Sequence, residues 1–374
     1  MIIAADFSMT GLSHIYFNTA FLKILRNIYG KPIVFYGEEQ HLDLISKSFL
    51  YGDLVLKPFR MKSRFGLSIL FQDILCVPKI CKILFRLGNN DIMFVLNRLP
   101  ITMLCCNILN VFLNRRIIHV LHGETEYLVN PLMIGGTKYY YKLFKLAYRF
   151  SGLCISYLFL GESIKRKVLA ENVSFGKASL LVIDHPYDYD LPVCLSKKFA
   201  SPNIIIGIIG SAMVRKNSHY LSNLVPLILN KNIIFKVTGK VEDSLVAECI
   251  RNNIEYNKER LSNEEYVDNN LSMHYSLCFY DSNVNLALAS GSFFDSIKYC
   301  KPILALKGNP YVDYYFEKLG DIGFRFSSVQ EMANFINQLS SNEFCHYEVQ
   351  YLNLKRAQEV LSLGTIANSL KSQL

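Results

Sequence analysis

Ten cysteines are spread through the 374 residues without a C-x-x-C pair, and a chain of this length needs no disulfides to hold its core. Cys105 and Cys106 are adjacent in an apolar stretch, which predicts reduced, buried thiols. Charge is sparse too: 19% of residues are charged against 51% hydrophobic, a balance that excludes general disorder. Long apolar runs are missing as well. Leu99 to Asn114, among the longest uncharged stretches, holds Pro100 and three asparagines and falls short of the roughly 18 to 20 apolar residues that a membrane span requires. It reads as a core helix. The opening Met1-Ile-Ile-Ala-Ala-Asp-Phe7 shows no basic segment leading into an apolar one, so no secretory signal is expected. No His/Asp/Cys group has metal-ligand spacing, so a metal-independent protein is expected. Helix-turn-helix, zinc-finger and RNA-binding strand signatures are missing, which argues against nucleic acid as a partner.

What is present points to two folded domains, because the chain exceeds the length at which a single core stops growing. The net charge is +9. Residues 1–200 hold 24 Lys/Arg against 14 Asp/Glu, whereas residues 201–374 hold 16 against 17, so the basic surface belongs to the first half. In that half, seven apolar runs of strand length begin at Ile2, Pro32, Leu54, Asp91, Ile117, Leu153 and Leu180, separated by helical patterns. This is the signature of parallel βα units. After the first run comes the polar loop Asp6-Phe-Ser-Met-Thr-Gly-Leu-Ser-His14, at a strand end where open α/β sheets bind ligands. Asp184 to Pro202, with three prolines, breaks the alternation and reads as a linker. New βα units then start at Ile204 and Ile233, the second ending in Gly239-Lys240. Ser262-x-x-Glu265 predicts a capping box, and His274–Tyr280, Pro302–Leu306 and Gly323–Phe326 read as further strands.

Two basic stretches stand out. Leu54 to Asn90 carries seven Lys/Arg and one acid, interleaved with Phe59, Phe65, Phe71 and Phe85, and places Lys79, Lys82 and Arg86 on one helical face. In the second, Lys138, Lys142, Lys145 and Arg149 recur at helical spacing beside Tyr141, Phe144 and Tyr148. Such faces suit an anionic membrane surface, or are a solvated face over an aromatic core.

The stretch Ala289-Ser-Gly-Ser-Phe-Phe-Asp295, running on to Lys301-Pro302, is a small-residue loop opening a helix. Ser290, Gly291 and Ser292 allow close backbone approach, and the unpaired N–H groups of a first turn attract an anion. Alternatively, Ser292-x-x-Asp295 is a capping box. Together with Gly210-x-x-x-x-Arg-Lys-Asn217, this loop resembles the donor half of GT-B glycosyltransferases, above all bacterial enzymes of the group 1 or family 4-like type that build surface polysaccharides such as O-antigen or capsule. The resemblance implies an α/β, GT-B fold of two Rossmann-like parallel-sheet domains facing a central cleft. Its expected boundaries are 1–190 for the acceptor domain, 191–203 for the linker, 204–350 for the donor domain, and 351–374 for a helix packing back on the first.

The resemblance also implies roles. Arg215 and Lys216 match the basic pair that neutralises the donor diphosphate, with Gly210, Lys240, Ser290, Gly291 and Ser292 around it, and Asp295 stands where the family's signature glutamate holds the ribose. Ala287 occupies the place of a second glutamate carried by retaining members, which leaves the stereochemistry open. On the acceptor side, His119-Val-Leu-His-Gly-Glu-Thr-Glu126 resembles the family's cleft turn. Glu124 and His122 are candidate bases, with Asp6 and His14 behind them, and Asp184-His185 is a hinge turn. The expected activity is transfer of a hexosyl group from a UDP- or GDP-linked nucleotide sugar to a lipid-linked or oligosaccharide acceptor. The expected place is the inner face of the plasma membrane. A catalytically degenerate sugar-nucleotide scaffold and a nucleotide-sugar epimerase are the alternatives.

Overall fold

The computed structural model describes residues 1–59, 68–130, 138–190, 203–259, 261–340 and 344–374. The expected linker 191–203 and Phe65 lie almost wholly or wholly outside the described residues, as does the side chain of Lys138. The chain divides into two compact units. The first comprises residues 1–188, 287–289 and 361–374; the second comprises 189–286 and 290–360.

In chain order the first unit runs β1 (Ile2–Asp6), α1 (Ile15–Tyr29), β2 (Ile33–Glu38), α2 (Glu39–Ser46), β3 (Leu54–Phe59), α3 (Ser68–Arg86), β4 (Ile92–Asn97), α4 (Pro100–Leu113), β5 (Arg116–Leu121), α5 (Glu124–Val129), α6 (Lys138–Arg149), β6 (Ile155–Phe159), α7 (Glu162–Ala170) and β7 (Ser179–Val182). The second runs β8 (Ile204–Ile208), a 3-10 turn (Val214–Lys216), α8 (Tyr220–Leu224), β9 (Ile233–Lys240), α9 (Asp243–Arg251), β10 (Glu255–Asn257), α10 (Asn263–Ser272), β11 (Tyr275–Cys278), α11 (Gly291–Lys298), β12 (Ile303–Leu306), α12 (Pro310–Leu319), β13 (Gly323–Phe326), α13 (Val329–Gln338) and α14 (Phe344–Val360). Helix α15 (Leu363–Lys371) rejoins the first unit.

The sheets have strand orders β3-β2-β1-β4-β5-β6-β7 and β10-β9-β8-β11-β12-β13, and their strand pairs are parallel. All seven strand runs of the first half form as read. Central β4, Ile-Met-Phe-Val-Leu-Asn, is buried along its whole length, as a strand covered on both faces must be. Its alternate side chains feed two cores. Phe94 and Leu96 meet Phe21 of α1, Leu42 of α2 and Ile366 and Leu370 of α15, whereas Met93 and Val95 meet Ile80 and Ile83 of α3 and Cys106 of α4. On that second face, Tyr148 of α6 packs edge-on against Tyr157 of β6, ring centroids 5.0 Å apart. β10 was not expected, because it is a polar three-residue edge strand without apolar alternation.

Local chemistry sets the helix ends. The capping box Ser262–Glu265 forms at α10, and Asn309 caps α12 ahead of Pro310. Ser292-x-x-Asp295 is not a capping box: Ser290 is the N-cap of α11 and accepts from the Phe293 N–H. Helix α4 has no side-chain cap of its own at Leu99. Instead, buried Asp73 of α3 accepts from the Ile101 and Thr102 N–H groups at 2.7 and 2.8 Å. α4 is also only half a core helix, since Ile108, Val111 and Phe112 are exposed while Met103, Cys106 and Asn107 are buried.

Gly323 opens β13 at φ 151°, and a Cβ there would overlap the Ile303 backbone of β12. Gly323→Ala is therefore expected to destabilise the second unit by about 3 kcal/mol through strain and lost ladder register. Denaturant unfolding would measure this, and a loss below about 1 kcal/mol would refute the close-approach argument.

Candidate active site

In a doubly wound sheet, loops leaving adjacent strands in opposite directions open a crevice at the strands' carboxyl ends. In the second unit this switch point lies between β8 and β11, and a narrow recess is found there. Lys216, Ser218, Tyr280, Ser292 and Ser296 line it over a floor of Ile208 and Phe279. The geometry depends on two glycines. Gly210 turns the chain at φ 76°, where a Cβ would stand 3.5 Å from Ser292, and a Cβ on Gly239 would overlap the Gly210 backbone. Gly210 N–H donates to Thr238 Oγ1 at 3.2 Å, fixing the loop on β9.

Ser290 and Ser292 sit 3.1 Å apart through their hydroxyls, and Tyr280 Oη reaches them at 2.7 and 3.3 Å. A hydroxyl cluster thus stands at the opening turn of α11, whose N–H groups carry partial positive charge. Gly291 is exposed, with nothing within 4 Å of a Cβ. The ammonium of Lys216 acts on buried Cys278, whose thiol burial pushes up to about 12 while Lys216 pulls it down. A cation, hydroxyls and a helix N-terminus are the groups with which proteins hold anions.

The other expected donor residues fall around this recess rather than in it. Arg215 is in the same 3-10 turn as Lys216 but is exposed. Lys240 ends β9 with its side chain exposed. Asp295, one turn along α11, accepts from Tyr266 Oη of α10 at 3.0 Å, and burial together with Asp295 holds the Tyr266 phenol well above its ordinary range. Sequence reasoning missed Ser218, Tyr280 and Tyr266. Ser218, two residues beyond Lys216, carried a usable signal; the tyrosines, two among 23, did not.

The switch point of the first unit lies between β1 and β4. Asp6, fully buried, accepts from the N–H groups of Ser8 and Met9 at 3.0 and 2.9 Å and from the amides of Asn18 and Asn97 at 2.7 and 3.0 Å. Asn18 also donates to His41 Nε2 at 2.8 Å, and His41 Nδ1 donates to Gly11 O at 2.8 Å. These bonds shape the loop that ends at His14, which enters α1 in the left-handed conformation at φ 57°. His14 Nδ1 meets His122 Nδ1 at 3.0 Å. The His122 ring packs 4.1 Å from Phe17 and 5.4 Å from His185, centroid to centroid. Asp184-His185, read as a hinge turn, therefore adds a third imidazole to this cluster.

Glu124 bonds groups other than the imidazole rings. It pairs with buried Arg98 at 2.7 Å, and its other oxygen accepts from the His122 N–H at 2.8 Å. Arg98 also donates to Val120 O. Arg98, with Asn18, Asn97 and His41, was not read as functional from the sequence. Nearby, Ala287 is fully buried, donates its N–H to Glu126 at 2.7 Å and accepts from Thr125 Oγ1 at 2.5 Å. Among the described residues, no group of three His, Cys, Asp or Glu is placed to hold a metal ion.

No family model matches the sequence, and no curated protein matches it. Solved structures do match. HepE of Anabaena, crystallised with UDP and with UDP-glucose, superposes with a TM-score of 0.67 at 13% identity; the match covers 100% of this chain and 98–99% of HepE. WaaG, a glycosyltransferase involved in lipopolysaccharide biosynthesis, gives a TM-score of 0.63 at 11% identity, covering 100% of this chain and 99% of WaaG. The lipopolysaccharide outer core galactosyltransferase WaaB gives 0.63 at 13%, covering 100% of both chains. The fold is therefore that of GT-B glycosyltransferases, two Rossmann-like parallel-sheet units, as the motifs around Gly210 and Ser290 implied.

Burial lowers the proton affinity of His119 and His122 well below the ordinary imidazole range, aided by nearby cationic groups, and lowers His185 to about 3. These rings are neutral in the folded unit and regain ordinary basicity on unfolding. The stability they contribute is complete above about pH 6.5 and is lost as pH falls through that value towards the folded pKa values, by up to about 1.4 kcal/mol per pH unit for each ring. Denaturant midpoints of the first unit are expected to drop steeply between about pH 7 and pH 5, with a shallower slope in His185→Asn. A pH-independent midpoint would contradict the neutral cluster.

Proposed function

We propose that the chain is a glycosyltransferase that moves a hexosyl group from a UDP- or GDP-linked sugar to a lipid-linked or oligosaccharide acceptor in bacterial surface polysaccharide synthesis. The observation that carries this reading is the recess at the β8/β11 switch point, which Lys216 lines together with Tyr280 and with Ser292 at the start of α11. The solved structures with this fold support it, since HepE binds UDP and UDP-glucose and WaaG and WaaB act in lipopolysaccharide synthesis.

In this reading the diphosphate lies on Lys216, Ser292 and the α11 N-terminus, with Arg215 and Lys240 at its exposed side and Asp295, held by Tyr266, near the ribose. Fixed positive charge stabilises the departing nucleoside diphosphate in the transition state, so no resident metal is needed. The acceptor hydroxyl attacks the anomeric carbon as the bond to the diphosphate breaks, and its proton passes to a base. We assign that base to His122. It is neutral near pH 7, and His14, 3.0 Å away, orients its ring. Glu124 becomes a positioning residue, because its pairing with Arg98 and the His122 N–H engages the oxygens a base would use. Asp6, satisfied by four donors, likewise shapes the loop that presents His14. Ala287 brings no carboxylate to the sugar, which favours inversion.

A catalytically degenerate scaffold is the second reading, favoured by the same Ala287. Thermal-shift titration with UDP, GDP, CMP and their sugar conjugates separates the two, since a ligand of the native state raises its melting temperature. One diphosphate is expected to give a clear shift, Lys216→Ala to abolish it, and transfer to fall by about a hundredfold or more. His122→Ala is expected to cut turnover by at least about a hundredfold while leaving the donor shift intact. If no nucleotide shifts the wild type, the scaffold reading takes over. If Lys216→Ala keeps the shift, the recess is not the donor site.

A further inference from the structure

The proposed transferase would meet its lipid-linked acceptor at a bilayer, and the first unit carries a surface built for one. α4 packs between α3 and α6 on one face of the seven-stranded sheet. The inner sides of the three helices are core. Their outer sides are apolar to an unusual degree: Leu70, Phe71, Ile74, Leu75 and Phe85 of α3, Ile108, Val111 and Phe112 of α4, and Leu146 of α6 are all exposed. Phe112 is 79% exposed, on a helix that contains no charged residue. Monomeric proteins rarely leave so many large apolar side chains together in water.

Charge on this layer has a single sign. α3 contributes Lys79, Lys82 and Arg86, and α6 contributes Lys142, Lys145 and Arg149. Lys82, Arg86, Lys142 and Arg149 are exposed, while Lys79 and Lys145 lie 4.6 Å over the rings of Phe59 and Tyr141. The one carboxylate on the three helices, Asp73, is fully buried and spent on capping α4. No helix among the described residues is long and apolar enough to cross a membrane, so this layer would lie on the bilayer and not through it.

We propose that this layer is a docking surface for an anionic lipid leaflet, with the uncharged outer stripe of α4 entering the headgroup and acyl boundary and the basic helices on either side holding lipid phosphates. This inference rests on the membrane-acceptor reading and deepens it: the inserted element is α4, read from sequence as core, and the basic stripe of α6 is its flank. An apolar stripe adds a component that salt does not screen to the electrostatic one that it does.

The chain contains no tryptophan, so Phe112→Trp installs a single reporter on the stripe. Added vesicles of phosphatidylcholine with about one third phosphatidylglycerol, carrying brominated acyl chains, are expected to quench and blue-shift its emission. Leu229→Trp, at an exposed site on the second unit, is expected to stay unquenched. In flotation with the same vesicles, Val111→Ser combined with Phe112→Ser should weaken binding by about tenfold or more, and Lys142→Ser combined with Arg149→Ser should remove most of the salt-sensitive part. Absence of quenching at Phe112→Trp, equal quenching at Leu229→Trp, or a solution dimer that the α4 serines dissociate would overturn the proposal, the last by making the stripe a contact between copies. The nucleotide-induced thermal shift, measured without vesicles on the same proteins, reports separately on the transferase reading. A shift without membrane binding overturns this inference alone.

Discussion

Parallel strand pairing is the constraint from which the rest of this structure follows. A parallel pair cannot be closed by a tight turn, so each strand needs a crossover over a face of the sheet, and every strand of a sheet ends at the same edge. Chemistry-bearing loops thereby gather without help from long-range sequence signals. Asp6 at the end of β1, Arg98 after β4, and His122 after β5 come together in one unit for this reason, as do Gly210 after β8 and Tyr280 after β11 in the other. The same constraint buries both faces of the central strands, and β4 satisfies it with an unbroken apolar run.

Within those crevices the two units use different devices. The second relies on closeness of backbone: glycines at 210 and 239 let two loops pass where a methyl would not fit, leaving a gap lined by short hydroxylated side chains and one lysine. The first relies on paired polar groups. Asp6 takes four hydrogen bonds, Asn18 spends both amide protons on Asp6 and His41, and Glu124 answers Arg98. These bonds hold the loop that carries His14, while Asn18 Oδ1 and Arg98 Nε stay buried without a hydrogen-bond partner.

The strands and the two-unit plan were legible in the sequence because apolar runs of strand length between helical patterns carry their own signal. The small-residue loop at Ser290 and the lysine at 216 were legible because glycine and serine beside a helix start have a local meaning. Partners were not legible. Nothing near Glu124 announces Arg98, 26 positions earlier, and nothing near Asp295 announces Tyr266, since strand order alone brings them together. Helix α4 was misread for a related reason: an uncharged helix is core by composition, yet its depth depends on what covers it. The Ser292–Asp295 spacing resembled a cap, but Ser290, two residues earlier, had the geometry to take that place.

The first unit is numbered first and yet takes Ile366, Ala367 and Leu370 into the core that surrounds β1 and β2. On the ribosome that core stays open, lacking its α15 wall, until the whole intervening second unit has been made and has left the exit tunnel. The order of synthesis and the order of completion are therefore reversed. Until α15 arrives the nascent chain carries an unfinished apolar face, to which chaperones have access.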